Sequence, residues 1–337
     1  MDVRTVGELG ESGVLARILA RLGPADAARL GPGDDCAVLS FAGDAVVTTD
    51  SMIEGPDFRL AWHDGFELGW KLAATNLSDI AAMGAAPTAL TVALACPRET
   101  PVSLLEEIAR GLDEACRELA PGCGVVGGDL GRAPVLTAAV TALGDLGGRP
   151  AVVRSGSQPG DVVAYAGDLG LAGLGLSLLF ARCASPEGVA TTHGLSELCA
   201  AHPVEIAAQL MPRPPIHLGT AAAAAGATAM MDVSDGLALD AGRLARASGV
   251  VVDLDPELLV AAFGEQRGVA VPLAAMLEGG EDHGLLATFP AATGIPAGFR
   301  AIGAIAEAGD ASGARGAVTL GGADYAPHGW DPYTGST

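Results

Sequence analysis

The chain has 337 residues, half of them hydrophobic, with 19 basic against 40 acidic side chains and a formal net charge of -21. A length of this order suits two domains of ordinary size. The apolar share excludes a disordered chain, and the negative field excludes capture of nucleic acid or anionic membrane by a basic patch.

Lys71 is the only lysine, so a bound phosphate would have to be met by arginine, backbone amides or metal ions. The N-terminal MDVRTVGELG lacks a basic region followed by an apolar one, and no segment approaches the roughly 18 apolar residues of a membrane span. A cytoplasmic protein is expected. Six cysteines (Cys36, Cys96, Cys116, Cys123, Cys183, Cys199) form no CxxC pair and read as buried free thiols rather than zinc or redox centres.

In chain order, SGVLARILARL (12–22) places apolar residues at helical spacing behind a serine cap. The runs CAVLSF (36–41) and AVVTT (45–49), separated by a short turn, predict a β-hairpin. Leu68, Leu72, Leu77 and Ile80 predict a helix from Glu67 to Met83, TALTVALA (88–95) a strand, VSLLEEIARGLDEACREL (102–119) an amphipathic helix and PVLTAAVTALG (134–144) a strand. The Gly-, Pro- and Ser-rich GDLGGRPAVVRSGSQPG marks an interdomain crossing, with the boundary near 148. Beyond it follow the strand DVVAYAG, helical segments to about 226 ending in a close-packed AAAAAGA, the stretch MMDVSDGLALD where a buried strand meets a helix, and the strand VVVDLD (250–255). A Gly-rich GGEDHGLLATF and strands near 299–305 and 315–320 complete the chain. The fold class expected is α/β (α+β): a domain 1–148 and a domain 149–337, with mixed sheets flanked by helices.

Acidic motifs recur at the ends of the apolar runs: GPGDD (Asp34, Asp35), VVTTD (Asp50), NLSD (Asp79), VVGGD (Asp129), MDVSDG (Asp232, Asp235) and GGED (Glu281, Asp282). Each alone reads as a helix cap or a turn. Strand ends of α/β sheets converge on one edge, so acids far apart in sequence are expected to meet in one cleft. Converged carboxylates repel unless a cation intervenes, and hard oxygen ligands without nearby His or Cys select Mg²⁺ or Mn²⁺. The glycines of GVVGGD (124–129) would let backbone amides approach an anion. There is no GxxxxGK[ST], no kinase HRD or DFG and no GxSxG elbow. The residues therefore point to a magnesium-dependent phosphate-handling site built outside the common nucleotide-binding motifs, with Ser234 a ligand or cap rather than a nucleophile.

Taken in order, GDDCAVL, TTDSMIEG, GWKLAATNLSDIAAMGA, GGD, RSGSQPGD, MDVSDGL and GGED closely resemble the thiamine-monophosphate kinase family, within the superfamily of aminoimidazole-ribonucleotide synthetase-like proteins. The likeness spans nearly the whole chain. It implies ATP-dependent phosphorylation of thiamine monophosphate to thiamine diphosphate by a two-domain homodimer that pairs through its N-terminal domain. Carried over by position, it implies several Mg²⁺ ions on Asp35, Thr48, Thr49, Asp50, Asp79, Asp129, Asp232 and Asp235. Gly128, Asp129, Arg154 and Ser234 would surround ATP, and Asp57, Glu281 and Trp330 the thiamine substrate, Trp330 by covering a cationic or aromatic ring. The chain departs from the family pattern at Asp57, where histidine is common, at Leu130–Arg132 after GGD, and at His283–Gly284, where a Tyr-Glu pair is common. These positions border the substrate more than the metals. The alternatives are another ATP-using enzyme of the superfamily and a non-catalytic nucleotide or thiamine-phosphate binder; the intact acidic set argues against the latter.

Overall fold

The computed structural model describes residues 4–32, 36–307 and 315–328, and they form two compact units. One comprises the described residues within 1–80, 85–149 and 183–195, the other those within 81–84, 150–182 and 196–337.

In the first unit α1 (Val6–Leu19) is followed by β1 (Ala28–Leu30), β2 (Val38–Leu39), β3 (Ala45–Ile53), α2 (Gly65–Ala82), β4 (Ala86–Cys96), α3 (Val102–Leu119), β5 (Gly124–Arg132) and β6 (Thr137–Asp145). The first helix starts earlier than its serine signal suggested. A capping box closes it, with Thr5 N–H donating to Glu8 Oε2 at 2.8 Å, and Gly10 at φ 72° kinks it.

The expected hairpin does not form. β2 pairs with β1, whereas β3 pairs along its whole length with β6, from Ala45↔Asp145 to Ile53↔Thr137. Strand propensity was readable, but the nine-residue partner lay almost a hundred positions away, and Asp145 ties the intervening turn by accepting the N–H groups of Ala42 and Gly43. The Gly-rich 124–129 forms the start of edge strand β5, parallel to β4 in the order β3-β6-β4-β5. A Cβ on Gly128 would stand 2.1 Å from Val92 O, so this glycine answers to close strand packing.

α2 is buried almost all round, through Leu68, Trp70, Lys71, Leu72, Ala73, Leu77 and Ile80, as expected of a helix with little polar face. Its neighbour α3 shows the amphipathic pattern, burying Leu105, Ile108, Leu112 and Ala115. The two helices touch backbone to backbone. A Cβ at Gly69 would lie 2.0 Å from Ile108 O, and one at Gly111 2.0 Å from Phe66 O.

The second unit contains β7 (Asp161–Ala166), α4 (Leu171–Cys183), α5 (Leu195–Ala201), α6 (Pro203–Leu210), α7 (Ile216–Ala224), β8 (Ala229–Val233), α8 (Leu237–Ser248), β9 (Val251–Leu254), α9 (Pro256–Phe263), β10 (Glu265–Gln266), β11 (Val269–Ala270), α10 (Leu273–Glu278), β12 (Gly284–Pro290), β13 (Arg300–Ala306), β14 (Val318–Leu320) and β15 (Ala323–Tyr325). Seven strands make one mixed sheet, β15-β14-β9-β13-β7-β12-β8, antiparallel at every step except β14–β9. β7 therefore lies between two strands that come much later in the chain. Val163, Tyr165, Met231, Val233, Leu244, Val252, Phe263 and Leu286 fill the core. The alanine run is the end of a helix, as expected: α7 closes on Ala225, whose N–H donates to Ala221 O. The mixed sheets with flanking helices agree with the α/β (α+β) expectation.

Candidate functional site

In the first unit the acids sit inside strands and a helix rather than at strand ends, and the pleat sorts them. Thr48 and Asp50 alternate with exposed neighbours along β3; their in-register partners on β6, Ala142 and Val140, are fully buried. Thr48 Oγ1 donates to Asp79 Oδ2 of α2 at 2.9 Å, so Thr48, Asp50 and α2 share one side of the sheet. Thr49 points the other way, donating to Val140 O at 3.0 Å and accepting from Thr141 Oγ1 at 3.1 Å. Asp129, exposed on β5, stands in the cross-strand row Ser51–Ala139–Ala93–Asp129 and shares Thr49's side. Within this one sheet, alternation places the described members in two sets on its two faces.

Asp57 closes the turn after β3, its Oδ2 accepting Ile53 N–H at 2.8 Å. Asp35 and Trp330 lie outside the described residues.

In the second unit the structure brings together most of what MDVSDG and GGED contribute. Asp232, 6% exposed, is the penultimate residue of the buried strand β8, with Oδ2 3.5 Å from His283 Nδ1. Ser234 O accepts Glu281 N–H at 2.7 Å, Val233 O accepts His283 N–H at 3.1 Å, and Gln209 Nε2 donates to Glu281 Oε2. Glu281 and His283 both adopt positive φ, 68° and 53°, a conformation uncommon for residues with a side chain. A Cβ on Gly280 would come within 2.5 Å of Ser234 O, so the glycine lets the two loops meet. Gly284 makes room in the same way for Tyr165, whose ring a Cβ there would overlap. The departures at His283 and Gly284 therefore have a packing role in this chain.

Arg154 is not part of that cluster. Its carbonyl accepts Ser248 Oγ–H at 2.9 Å at the far end of α8, and Val153 O accepts Met230 N–H at the start of β8. At about 3.3 Å per strand residue, about 13 Å of strand separates it from Ser234.

Three residues given no ligand role by the sequence, Asp240, Arg243 and the Asp282 of GGED, shape this region. Asp240, fully buried, accepts the N–H groups of Ser234 and Asp235 at 3.0 and 3.1 Å, and Arg243 Nη1 bridges Asp240 Oδ1 and Asp235 Oδ2. Burial pushes the Asp240 carboxyl up to about 6, against the lowering effect of Arg243. The signal in the sequence was an acid on the same helical stripe as Leu237, Ala241 and Leu244, with arginine three residues on. Asp282, 4% exposed, accepts the N–H groups of Gly170 and Ala172 at the start of α4. Burial pushes it up to about 7, partly opposed by those donors.

For Asp282 the pH consequence has a definite sign. Unfolded, the carboxyl ionises near its ordinary value of about 3.9; between that pH and about 7 the folded chain holds a proton the unfolded chain has lost. Its contribution is present at low pH and is lost as pH rises through the folded value, at no more than about 1.4 kcal/mol per pH unit. Urea unfolding between pH 5 and 7.5 is expected to show stability falling with pH, and Asp282→Asn to flatten that slope. An unchanged slope would remove Asp282 as its source.

Among the described residues no three His, Cys, Asp or Glu side chains gather as a ready-made metal cage. Apart from His283 Nδ1 beside Asp232, the donors at hand are hydroxyl and carboxylate oxygens, few per location, which fits Mg²⁺, a cation usually bound through one or two carboxylates with water and substrate phosphates completing its shell.

Two family models match, AIR synthase related protein, N-terminal domain, over residues 33–146, and AIR synthase related protein, C-terminal domain, over 158–293. The thiamine-monophosphate kinase of Mycobacterium tuberculosis is 40% identical over 308 residues, 89% of this chain and 86% of that protein. A crystal structure of thiamine-monophosphate kinase from Stenotrophomonas maltophilia is 30% identical, with a TM-score of 0.71 over 93% of this chain and 96% of that one. A solved structure described as AaThiL complexed with AMPPCP and TMP is 28% identical, with a TM-score of 0.69 over 98% and 99%. This chain belongs to the thiamine-monophosphate kinase family of the AIR synthase related proteins.

Proposed function

We infer that this chain is a thiamine-phosphate kinase, transferring the γ-phosphoryl group of ATP to the phosphate of thiamine monophosphate and giving thiamine diphosphate and ADP. The observation that carries this reading is the likeness to thiamine-monophosphate kinases along 89% of the chain, across both segments that hold the acidic motifs. The AMPPCP and TMP bound by one relative support the pair of substrates.

Both substrates are anions, the chain carries -21 of its own and its single lysine is buried in α2. Neutralisation thus falls to arginine and to metal. Asp79, Asp50 and Thr48 on one face of the N-terminal sheet, Thr49 and Asp129 on the other, Asp232 and Asp235 after β8, and Asp35 would hold Mg²⁺. When bound, several Mg²⁺ ions would supply charge neutralisation along the polyphosphate and at the transferring group. Gly128, Asp129, Arg154 and Ser234 would contact the nucleotide, and Glu281, Asp57 and Trp330 the thiamine substrate. No side chain is assigned to proton removal, because a phosphate monoester, with a second pKa of about 6, is already largely ionised near neutrality. Positioning and electrostatics then carry the catalysis.

A homodimer is part of the same proposal. The open face of β3 exposes Val47 at 66% and Ile53 at 40%, apolar surface suited to a second copy. A cytoplasmic setting is supported by the buried thiols Cys96, Cys116, Cys123 and Cys183, none of which is in a disulfide.

Chromatographic product analysis of the purified protein with ATP, Mg²⁺ and thiamine monophosphate tests the reading. Thiamine diphosphate in step with ADP, abolished by chelation or by omission of any component, is the expected result. Consumption of neither substrate would overturn it; release of free phosphate from the monophosphate without ATP would replace it with a phosphatase.

A further inference from the structure

Asp240 and Arg243 belong to neither the metal set nor the nucleotide set, yet both hold the turn that carries members of each. The turn has no cap of its own. Gly236, the residue before α8, offers no side chain and sits at φ 118°, with Glu278 O 2.9 Å from where a Cβ would be. The missing cap comes instead from one turn inside the helix, where Asp240 Oδ2 accepts the N–H groups of Ser234 and Asp235.

Asp240 is fully buried, and a charge there is tenable only beside a partner. Arg243 Nη1 provides it at 2.5 Å, and the same nitrogen lies 2.6 Å from Asp235 Oδ2. A guanidinium that has to remain on Asp240 therefore also fixes one oxygen of Asp235. The other, Oδ1, has no partner among the described residues. One bonded unit thus sets the backbone of Ser234 and Asp235 and the rotation of the Asp235 carboxylate.

We propose that Asp240 and Arg243 are positioning residues for divalent-cation binding at Asp235, Asp240 fixing the backbone and Arg243 turning the carboxylate so that Oδ1 is presented to the ion. This rests on the kinase reading and extends it to residues that touch neither substrate. A mere cap would support stability alone; a positioning pair also sets how much cation is needed to bind nucleotide.

Isothermal titration of the full-length protein with a non-hydrolysable β,γ-methylene ATP analogue, repeated across Mg²⁺ concentrations, separates the two. The Mg²⁺ concentration for half-maximal binding is expected to rise about 10–100-fold in Asp240→Asn and Arg243→Gln, the usual effect of removing a partner of a metal ligand. Arg243→Lys should recover part of the loss, since lysine restores the charge without the planar fork. Should Asp240→Asn fail to fold, the two Arg243 variants carry the test, that side chain being 36% exposed. A lowered melting point with an unchanged Mg²⁺ requirement would overturn the proposal and leave a structural cap. Wild-type protein that binds no magnesium nucleotide would overturn the kinase reading and the proposal together, whereas variants matching a wild type that does bind would overturn the proposal alone.

Discussion

Asp129→Asn is expected to reduce kcat by about 10²–10³-fold while leaving the melting curve almost in place. Asp129 stands exposed on the edge strand β5, so its carboxylate makes no demand on the core. Surface substitutions of this kind usually change stability by no more than about 0.5 kcal/mol. Its proposed work is electrostatic: a carboxylate beside Gly128, on the open side of the sheet, holding a cation against the nucleotide's phosphates. Asparagine keeps the shape and removes the charge. Steady-state rates across Mg²⁺ concentrations, alongside thermal melts, check it. A variant with normal turnover and a normal Mg²⁺ requirement would remove Asp129 from the metal set.

Replacing Gly69 and Gly111 by alanine should produce the largest loss of stability, and the two losses should not add. Helix propensity alone argues the opposite sign, since alanine is favoured over glycine in a helix by about 1 kcal/mol. Packing opposes it. A Cβ at either site would stand 2.0 Å from a carbonyl oxygen of the facing helix, well inside the 3.0 Å that Cβ atoms respect, and a backbone carbonyl cannot swing aside as a side chain can. Overpacking typically costs about 1–3 kcal/mol and occasionally more, so each single variant should be destabilised on balance. Once one methyl has pushed α2 and α3 apart, the second finds space already made, so the double variant should lose less than the sum of the singles. Activity should fall with them, because α2 carries Asp79 and sets its distance from Thr48. Denaturant unfolding of the two singles and the double supplies the cycle; strict additivity, or stabilisation, would refute the close crossing.

Much of this was legible in the chain. The amphipathic period of residues 102–119 coincides with α3, and the acidic motifs and their order pointed to the family before any geometry. Partner choice was not legible. AVVTT announces a strand, but nothing local distinguishes CAVLSF nearby from the distant PVLTAAVTALG as its neighbour, because pairing is settled by buried area and register across the sheet. The same limit governed the acids. Motif reading treated Thr48, Thr49 and Asp50 as one group, whereas the two-residue repeat of a strand sends the middle one to the opposite face. The glycines of GVVGGD suggested close approach of backbone to an anion, but nothing in their composition announced the close approach of Val92 O that Gly128 also accommodates. Asp240 went unnoticed since an acid in a helix is ordinarily solvent-facing, and only the stripe it shares with Leu237, Ala241 and Leu244 marks it as buried.

The place of β7 in its sheet governs the life of the nascent chain. Flanked by β12 and β13, it leaves the ribosome with neither neighbour yet made, and at about 5–20 residues per second both of its edges wait several seconds for strands still being translated. An apolar strand with two open edges is the kind of segment that invites wrong pairing or chaperone capture. The C-terminal unit must therefore close late, after β13 has emerged, while the sheet of the N-terminal unit, complete once β6 is out, can form first.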